Sequence, residues 1–220
     1  MDSSCRCELI RATECVNFTR IIHAVRNRKT RPQADPSHSV RIIGGAWRGR
    51  RVPVLAHAEL RPTADRIRET LFNWLRADVA GARCLDLFAG SGALGFEALS
   101  RGAREVVFVE RSAPAAANLR TQLERLGAAD RAQVHARDAE AVLREPGPAF
   151  ELVFLDPPFG SGALERAIAQ LAGGDRLARG GLVYIEAERR AGVPVLPPGW
   201  SLLRSKFAGE VGYHLARRES

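Results

Sequence analysis

The spacing of hydrophobic and polar positions becomes regular at about residue 83. From there to about residue 186, short apolar runs alternate with segments whose apolar residues recur at helical spacing. The apolar runs predict strands at 83–88, 105–110, 132–137, 151–155 and 181–186. The helically spaced segments predict helices at 93–101, 113–126 and 163–172. This alternation predicts an α/β fold, a parallel sheet with helices on both faces.

The flanking parts of the chain follow other patterns. Residues 41–54 read as two short strands around a glycine turn. A helix then opens at Arg61-Pro62-Thr63, with Thr63 as its N-cap and a buried stripe of Ile67, Leu71, Trp74 and Leu75. Segments 200–207 and 211–217 predict a terminal antiparallel hairpin. We therefore expect a poorly ordered arm at 1–39, a hairpin and helix extension at 40–80, and the main domain at 81–220.

The net positive charge of the chain indicates an acidic partner. The 220 residues carry a net charge of +8, and only Lys29 and Lys206 are lysines. Residues 1–60 hold 11 basic and 5 acidic side chains, so most of the excess lies in the first quarter of the chain. An arginine-rich surface of this kind suits nucleic acid, although a merely solvated surface would have the same composition.

The composition also bears on location and metal binding. No apolar run approaches the roughly 18 residues of a membrane span. Cys84 lies in an apolar run, and the other cysteines precede residue 16, which suits a reducing cytoplasm better than a disulfide framework. Cys5, Cys7, Cys15 and His23 match no usual zinc spacing, so we expect no metal.

The first chemical motif is the segment Leu85–Gly95, in which a strand runs into a glycine turn and then a helix. Gly90, Gly92 and Gly95 have the G-x-G-x-x-G spacing of nucleotide-binding loops. Glycine lets a ligand approach the backbone, and the helix N-terminus offers N–H groups to an anion. A tight structural turn would have the same spacing, so this motif alone is weak.

The second motif is a carboxylate at the end of the next strand. Glu110 follows Gly90 by 20 residues, which suits hydrogen bonds to both hydroxyls of a ribose. An adenosine-containing ligand is indicated, either NAD or S-adenosylmethionine. A solvated glutamate at a strand end is the alternative.

The third motif favours S-adenosylmethionine over NAD. A buried strand ends in Asp156-Pro157-Pro158-Phe159, where the two prolines make the backbone rigid. Acceptors on Asp156 and the Pro157 carbonyl would bind both hydrogens of an exocyclic amine and turn its lone pair toward an incoming methyl group. Phe159 would stack on an extruded base. Hydride transfer has no use for such a loop.

Five segments together resemble one family closely. Residues 41–54, 61–75, 84–103, 152–159 and 200–219 resemble, in this order, the RsmD family of class I S-adenosylmethionine-dependent methyltransferases. The resemblance implies a Rossmann-like fold with a mostly parallel seven-stranded sheet. It also implies methyl transfer to the N2 amine of a guanine in 16S ribosomal RNA, within the 30S subunit or an assembly intermediate. We expect a monomer.

The resemblance also implies site residues. It implies that Asp86 and residues 88–92 bind the methionine part of S-adenosylmethionine and that Glu110 binds the ribose. Asp138 or the Ala139 backbone would contact the adenine. The implied cofactor-binding set is Arg61, Thr63, Asp86, Phe88, Ala89, Gly90, Ser91, Gly92, Glu110, Arg111, Asp138, Ala139 and Asp156. The implied catalytic set is Asp156, Pro157, Pro158 and Phe159. The implied RNA-binding set is Arg41, Trp47, Arg48, Arg50, Arg51 and Arg68.

Three rival functions stay open at this point. Adenine-N6 DNA methyltransferases use a related Asp/Asn-Pro-Pro-aromatic loop, but this chain has no evident target-recognition domain. A non-catalytic RNA-binding protein and an NAD oxidoreductase are the other two, and neither would need all three motifs.

Overall fold

The computed structural model describes residues 39–55 and 65–219. Its sheet of seven strands has the order β5-β4-β3-β6-β7-β9-β8. The strands of this sheet are β3 (Arg83–Asp86), β4 (Glu105–Val109), β5 (Ala132–His135), β6 (Phe150–Leu155), β7 (Leu177–Glu188), β8 (Trp200–Ala208) and β9 (Val211–Arg218). β3 to β7 are parallel, and β9 pairs antiparallel with both β7 and β8. The predicted sheet and terminal hairpin are confirmed.

Successive strand residues point to opposite sides of the sheet, and because they are apolar on both sides, helices cover both faces. Cys84, Val106 and Phe154 belong to one apolar cluster, whereas Leu85, Val107 and Val153 belong to another. The first cluster takes in α1 (Asp65–Trp74), α2 (Ala93–Ser100) and α3 (Ala113–Leu126). The second takes in α4 (Ala139–Arg144) and α5 (Ala163–Gly173). Among the helices described, none is long and apolar enough to cross a membrane.

Two elements differ most from the sequence-based prediction. β7 runs from Leu177 to Glu188, longer than the predicted 181–186. α4 was not predicted, since its six residues are too short for a helical period to stand out. A local signal was present, because Asp138 is a typical N-cap and its side chain accepts hydrogen bonds from Glu140 N and Ala141 N.

The segment before α1 forms the predicted two-stranded hairpin. β1 (Ser39–Arg41) pairs antiparallel with β2 (Arg51–Pro53), and a single helical turn at Gly45–Trp47 lies between them. The predicted helix start at Arg61 and Thr63, and the predicted arm up to residue 38, lie outside the described residues.

A buried carboxylate on α2 attaches this hairpin to the main sheet. Glu97 is fully buried and accepts hydrogen bonds from Ile43 N and Gly44 N, both at 2.8 Å. Its charge is balanced by Arg101 at 2.7 Å and by Arg68 at 3.8 Å. The hairpin backbone also comes very close to α2, since a Cβ on Gly45 would lie 1.9 Å from the Ser100 carbonyl oxygen.

Two residues of the implied RNA-binding set are in the core instead. Arg68 is 1 % exposed, and its guanidinium donates to Asp65 and to the Arg41 carbonyl. Trp47 is 7 % exposed, lies in the first apolar cluster and donates its backbone N–H to Ser100. The prediction that these two side chains contact RNA is therefore wrong. Each is buried because the hairpin folds back onto α1 and α2.

Replacing Glu97 tests this attachment. Glu97→Ala leaves two backbone N–H groups and the Arg101 guanidinium without their acceptor and removes a buried charge that faces Arg68, so we expect a loss of about 3 kcal/mol in the free energy of unfolding. Glu124→Ala removes an exposed carboxylate from α3 and should cost less than about 0.5 kcal/mol. Urea unfolding measures both, and equal losses for the two variants would contradict this assignment.

Candidate active site

A cavity opens at the carboxyl ends of the central strands. Its volume is about 880 Å³, and the loops after β3, β4, β5 and β6 line it. β3 and β6 are hydrogen-bonded neighbours, with Cys84 opposite Leu152, so the glycine loop and the Asp156 loop face one crevice. Parallel α/β sheets bind ligands at this edge. The described members of the implied cofactor and catalytic sets that line the cavity are Asp86, Phe88, Ala89, Gly90, Ser91, Glu110, Arg111, Asp138, Ala139, Asp156, Pro157, Pro158 and Phe159.

The glycines of the first loop serve conformation and packing. Gly90 and Gly92 have φ of 51° and 77°, a region that strains other residues. A Cβ on Gly92 would lie 2.5 Å from the Leu119 side chain, and one on Gly95 would lie 2.2 Å from the Phe108 ring. At Gly92 and Gly95, glycine is required because α2 packs tightly on its neighbours, rather than because a ligand must approach. Gly92 itself does not line the cavity.

Two carboxylates hold the loop against the strand ends. Asp86 accepts a hydrogen bond from Gly95 N at 3.0 Å. Glu110 accepts one from Gly90 N at 2.8 Å with one oxygen, and one from Ser112 N at 2.7 Å with the other. The sequence indicated a ligand role for both residues but not this structural one. Each carboxylate oxygen has a second lone pair, so Glu110 can still accept from a ligand.

Burial raises the pKa of Asp86. Removal from water, with smaller contributions from the nearby charges of Asp156 and Glu110, outweighs the hydrogen bond from Gly95 and raises the pKa of its carboxyl to about 7. The end of β3 is therefore a place where a positive charge on a ligand would be stabilised.

The loop after β6 combines a rigid start with an exposed aromatic ring. Pro157 is buried, whereas the Phe159 side chain is 43 % exposed at the cavity. The Pro158 carbonyl accepts from the Ser161 hydroxyl at 2.6 Å, so this oxygen has a partner within its own turn. Arg166 of α5 donates to the Ser161 carbonyl and pairs with Glu140 of α4 at 2.5 Å. These contacts join the loop to the opposite wall.

The cavity wall on the side of α4 carries charges that the sequence did not single out. Asp138 caps α4 with one oxygen of its carboxylate, and Ala139 is buried behind it. Arg137 and Arg166 also line the cavity, in addition to the expected Arg111. No motif marked these two arginines, because they lie at arbitrary spacing from the loops and only the fold brings them together.

The remaining members of the implied RNA-binding set lie on the hairpin. Arg48, Arg50 and Arg51 are exposed, and Arg41 is exposed while pairing with Asp65 at 3.2 Å. None of them lines the cavity. Arg61 and Thr63 lie outside the described residues. Within residues 39–55 and 65–219, no group of three or more His, Cys, Asp or Glu side chains is arranged to hold a metal ion.

Comparison with known proteins identifies the family. The family model described as "Conserved hypothetical protein 95" matches residues 40–217. The "Ribosomal RNA small subunit methyltransferase D" of Escherichia coli strain K12 is 46% identical over 190 residues, which cover 86% of this chain and 96% of that protein. The Haemophilus influenzae protein of the same name is 45% identical, covering 80% of this chain and 92% of its own.

The fold agrees with this match. The solved structure of yhhF from Escherichia coli superimposes with a TM-score of 0.77 at 45% sequence identity, covering 83% of this chain and 99% of that one. A methyltransferase from Geobacter sulfurreducens, at 15% identity, shares the fold with a TM-score of 0.58 over 72% of this chain and 80% of that one. The chain belongs to the RsmD family and has the Rossmann-like fold of class I methyltransferases.

Proposed function

We propose that this protein transfers a methyl group from S-adenosylmethionine to the N2 amine of a guanine in 16S ribosomal RNA. The observation that carries the proposal is the single cavity shared by the glycine loop and the Asp156–Phe159 loop. Relatives named as ribosomal RNA small subunit methyltransferases support the RNA substrate. The acceptor groups of the loop support an exocyclic amine as the target, and the choice of guanine N2 rests on the family resemblance.

The cavity fits S-adenosylmethionine in size and chemistry. About 880 Å³ lies within the range of roughly 300 to 1,000 Å³ usual for small-molecule sites. Glu110 would accept from the ribose hydroxyls, Asp86 would face the methionine amine, and Asp138 or Ala139 would border the adenine. When bound, the cofactor supplies a methyl group on a positively charged sulfur. Arg61 and Thr63 stay part of the proposed set on the resemblance alone.

The residues of the Asp156 loop would prepare the target amine. The amine of guanine is a poor nucleophile because its lone pair is delocalised into the ring. Asp156 and the Pro157 carbonyl would each accept a hydrogen bond from the amine, which directs its lone pair toward the methyl group. Phe159 would stack on the base. Positioning two reactants in this way supplies much of the reduction in the barrier. The proton released from the product amine goes to Asp156 or to water.

The exposed hairpin would bind the RNA backbone. Arg48, Arg50 and Arg51 lie together on a short turn attached to α2, and guanidinium groups bind phosphates well. Arg41 belongs to the same proposed surface, whereas Trp47 and Arg68 do not. We propose that the protein acts as a monomer in the cytoplasm, on the 30S subunit or an assembly intermediate.

Asp156→Ala tests the catalytic assignment. The variant loses an acceptor for the target amine, so the rate of methyl transfer should fall at least about a thousandfold, while the dissociation constant for the cofactor changes less than about threefold. Single-turnover methylation of 30S subunits and calorimetric titration of S-adenosylmethionine measure the two effects. Asp130→Ala, which removes an exposed carboxylate, is the control. Wild-type turnover in Asp156→Ala would rule out the role.

The pKa of Asp86 predicts a pH dependence of cofactor binding. With its pKa raised to about 7, Asp86 is mostly protonated at pH 6 and ionised at pH 8. A cationic ligand prefers the ionised form, so the affinity for S-adenosylmethionine should rise about tenfold from pH 6 to pH 8. This rise is counted in addition to any rise that the Asp86→Asn variant shows. Calorimetry across this range measures the difference. Parallel profiles for the two proteins would show that Asp86 does not face the cationic part of the cofactor.

Salt dependence tests the hairpin surface. Changing Arg48, Arg50 and Arg51 together to alanine should lower the slope of log K against log salt concentration by about 2. Arg125→Ala, an exposed change at the end of α3, should leave the slope nearly unchanged. Filter binding of 16S ribosomal RNA at several salt concentrations measures both. An unchanged slope in the triple variant would place the phosphate contacts elsewhere.

A further inference from the structure

A second exposed aromatic ring has no role in the site described above. Among the described residues, the two most exposed aromatic side chains are Phe159, at 43 %, and Phe207, at 42 %. Phe159 lines the cavity. Phe207 lies near the end of β8, the outermost strand of the sheet. An exposed ring on an edge strand favours association, so natural proteins usually avoid it unless it has a partner.

Strand register places Phe207 at the same edge of the sheet as the cavity. Phe207 is opposite Gly212 of β9, and Gly212 is opposite Ala187 of β7. Leu155 of β6 is opposite Ile185 of β7, so Ala187 is level with Pro157 in the catalytic loop. Three strand spacings separate β6 from β8, which puts Phe207 about 14 Å from that loop.

Phe207 also lies on the same face of the sheet as the loop that carries Phe159. Tyr213 and Leu215 of β9 point into the cluster under α1 to α3, so Gly212 and His214 point to the opposite face. The Phe207 ring packs on that opposite face, since a Cβ on Gly212 would lie 3.0 Å from it. The Asp156 loop leads into α5, which covers the same face. Both exposed rings therefore border one surface.

The surroundings of Phe207 hold its ring in place and set one cation beside it. The Arg189 guanidinium lies 5.6 Å from the ring centroid and donates to the Gly209 carbonyl at 3.2 Å. The buried His214 ring meets Phe207 edge-on at 5.7 Å. Arg190 pairs with Glu188, and Lys206 lies on the other face of the hairpin against Trp74. The positive charge beside the ring therefore comes from Arg189, which suits an anionic polymer.

We propose that Phe207 and Arg189 form a stacking platform for an unpaired ribosomal RNA base a few nucleotides from the target guanine. Single-stranded RNA is bound through rings on which bases stack, and a neighbouring arginine strengthens this contact. The platform would hold the strand that leaves the cavity, while Phe159 holds the extruded base. This inference rests on the proposed function, because it requires an RNA substrate at the cavity.

Phe207→Ala tests the platform. Because the variant loses one stacked base, its binding of protein-free 16S ribosomal RNA should weaken about tenfold, and KM for the RNA substrate should rise by a similar factor. kcat, S-adenosylmethionine affinity and thermal stability should stay as in the wild type. Phe207→Trp should bind within about twofold of wild type, since indole stacks equally well. Leu202→Ala is the matched control, because Leu202 is 41 % exposed at the other end of the same strand.

The outcomes separate this inference from the proposed function. Wild-type RNA affinity in Phe207→Ala, or no recovery in Phe207→Trp, would overturn the platform while methylation by the wild-type protein still stands. A defect on whole 30S subunits without one on protein-free RNA would also overturn it, because the partner would then be a ribosomal protein. Failure of the wild-type protein to methylate any ribosomal RNA would refute the proposed function itself.

Discussion

The parallel pairing of β3 with β6 is the contact on which the site depends. Cys84 and Leu152 lie side by side although β4, β5 and three helices separate them in the chain. Because both strands run in the same direction, the glycine loop and the Asp156 loop emerge at one edge and border one cavity. The helices on the two faces bury these central strands almost completely, which fixes the positions of both loops.

This arrangement concentrates negative charge. Asp86, Glu110 and Asp156 follow neighbouring strands, and Asp86 has its pKa raised by burial and by the other two. Like charges close to one another repel, so a cationic ligand would be stabilised at this edge. The sulfonium and amine of S-adenosylmethionine supply that charge in the proposed function. The basic residues lie on the surrounding surface instead, on the hairpin and near β8, where an RNA backbone would pass.

Much of the fold could be predicted because its signals are local. Apolar runs marked the strands, and residues 90–95 and 156–159 marked both loops that matter for chemistry. The environments of Arg68 and Trp47 could not be predicted, because each is buried by contacts between distant segments. An arginine on a helix is normally expected to be exposed, and the burial of Arg68 is tolerable because Asp65, the Arg41 carbonyl and Glu97 surround its guanidinium. The exposure of Phe207 could not be predicted either, since it depends on the position of β8 at the edge of the sheet.

The most direct measurement is mass spectrometry of ribosomal RNA nucleosides from a strain that lacks this protein. The account predicts the loss of one N2-methylguanosine from 16S ribosomal RNA, restored by the wild-type gene but not by one carrying Asp156→Ala. An unchanged set of N2-methylguanosines, or the loss of an N6-methyladenosine in its place, would contradict it.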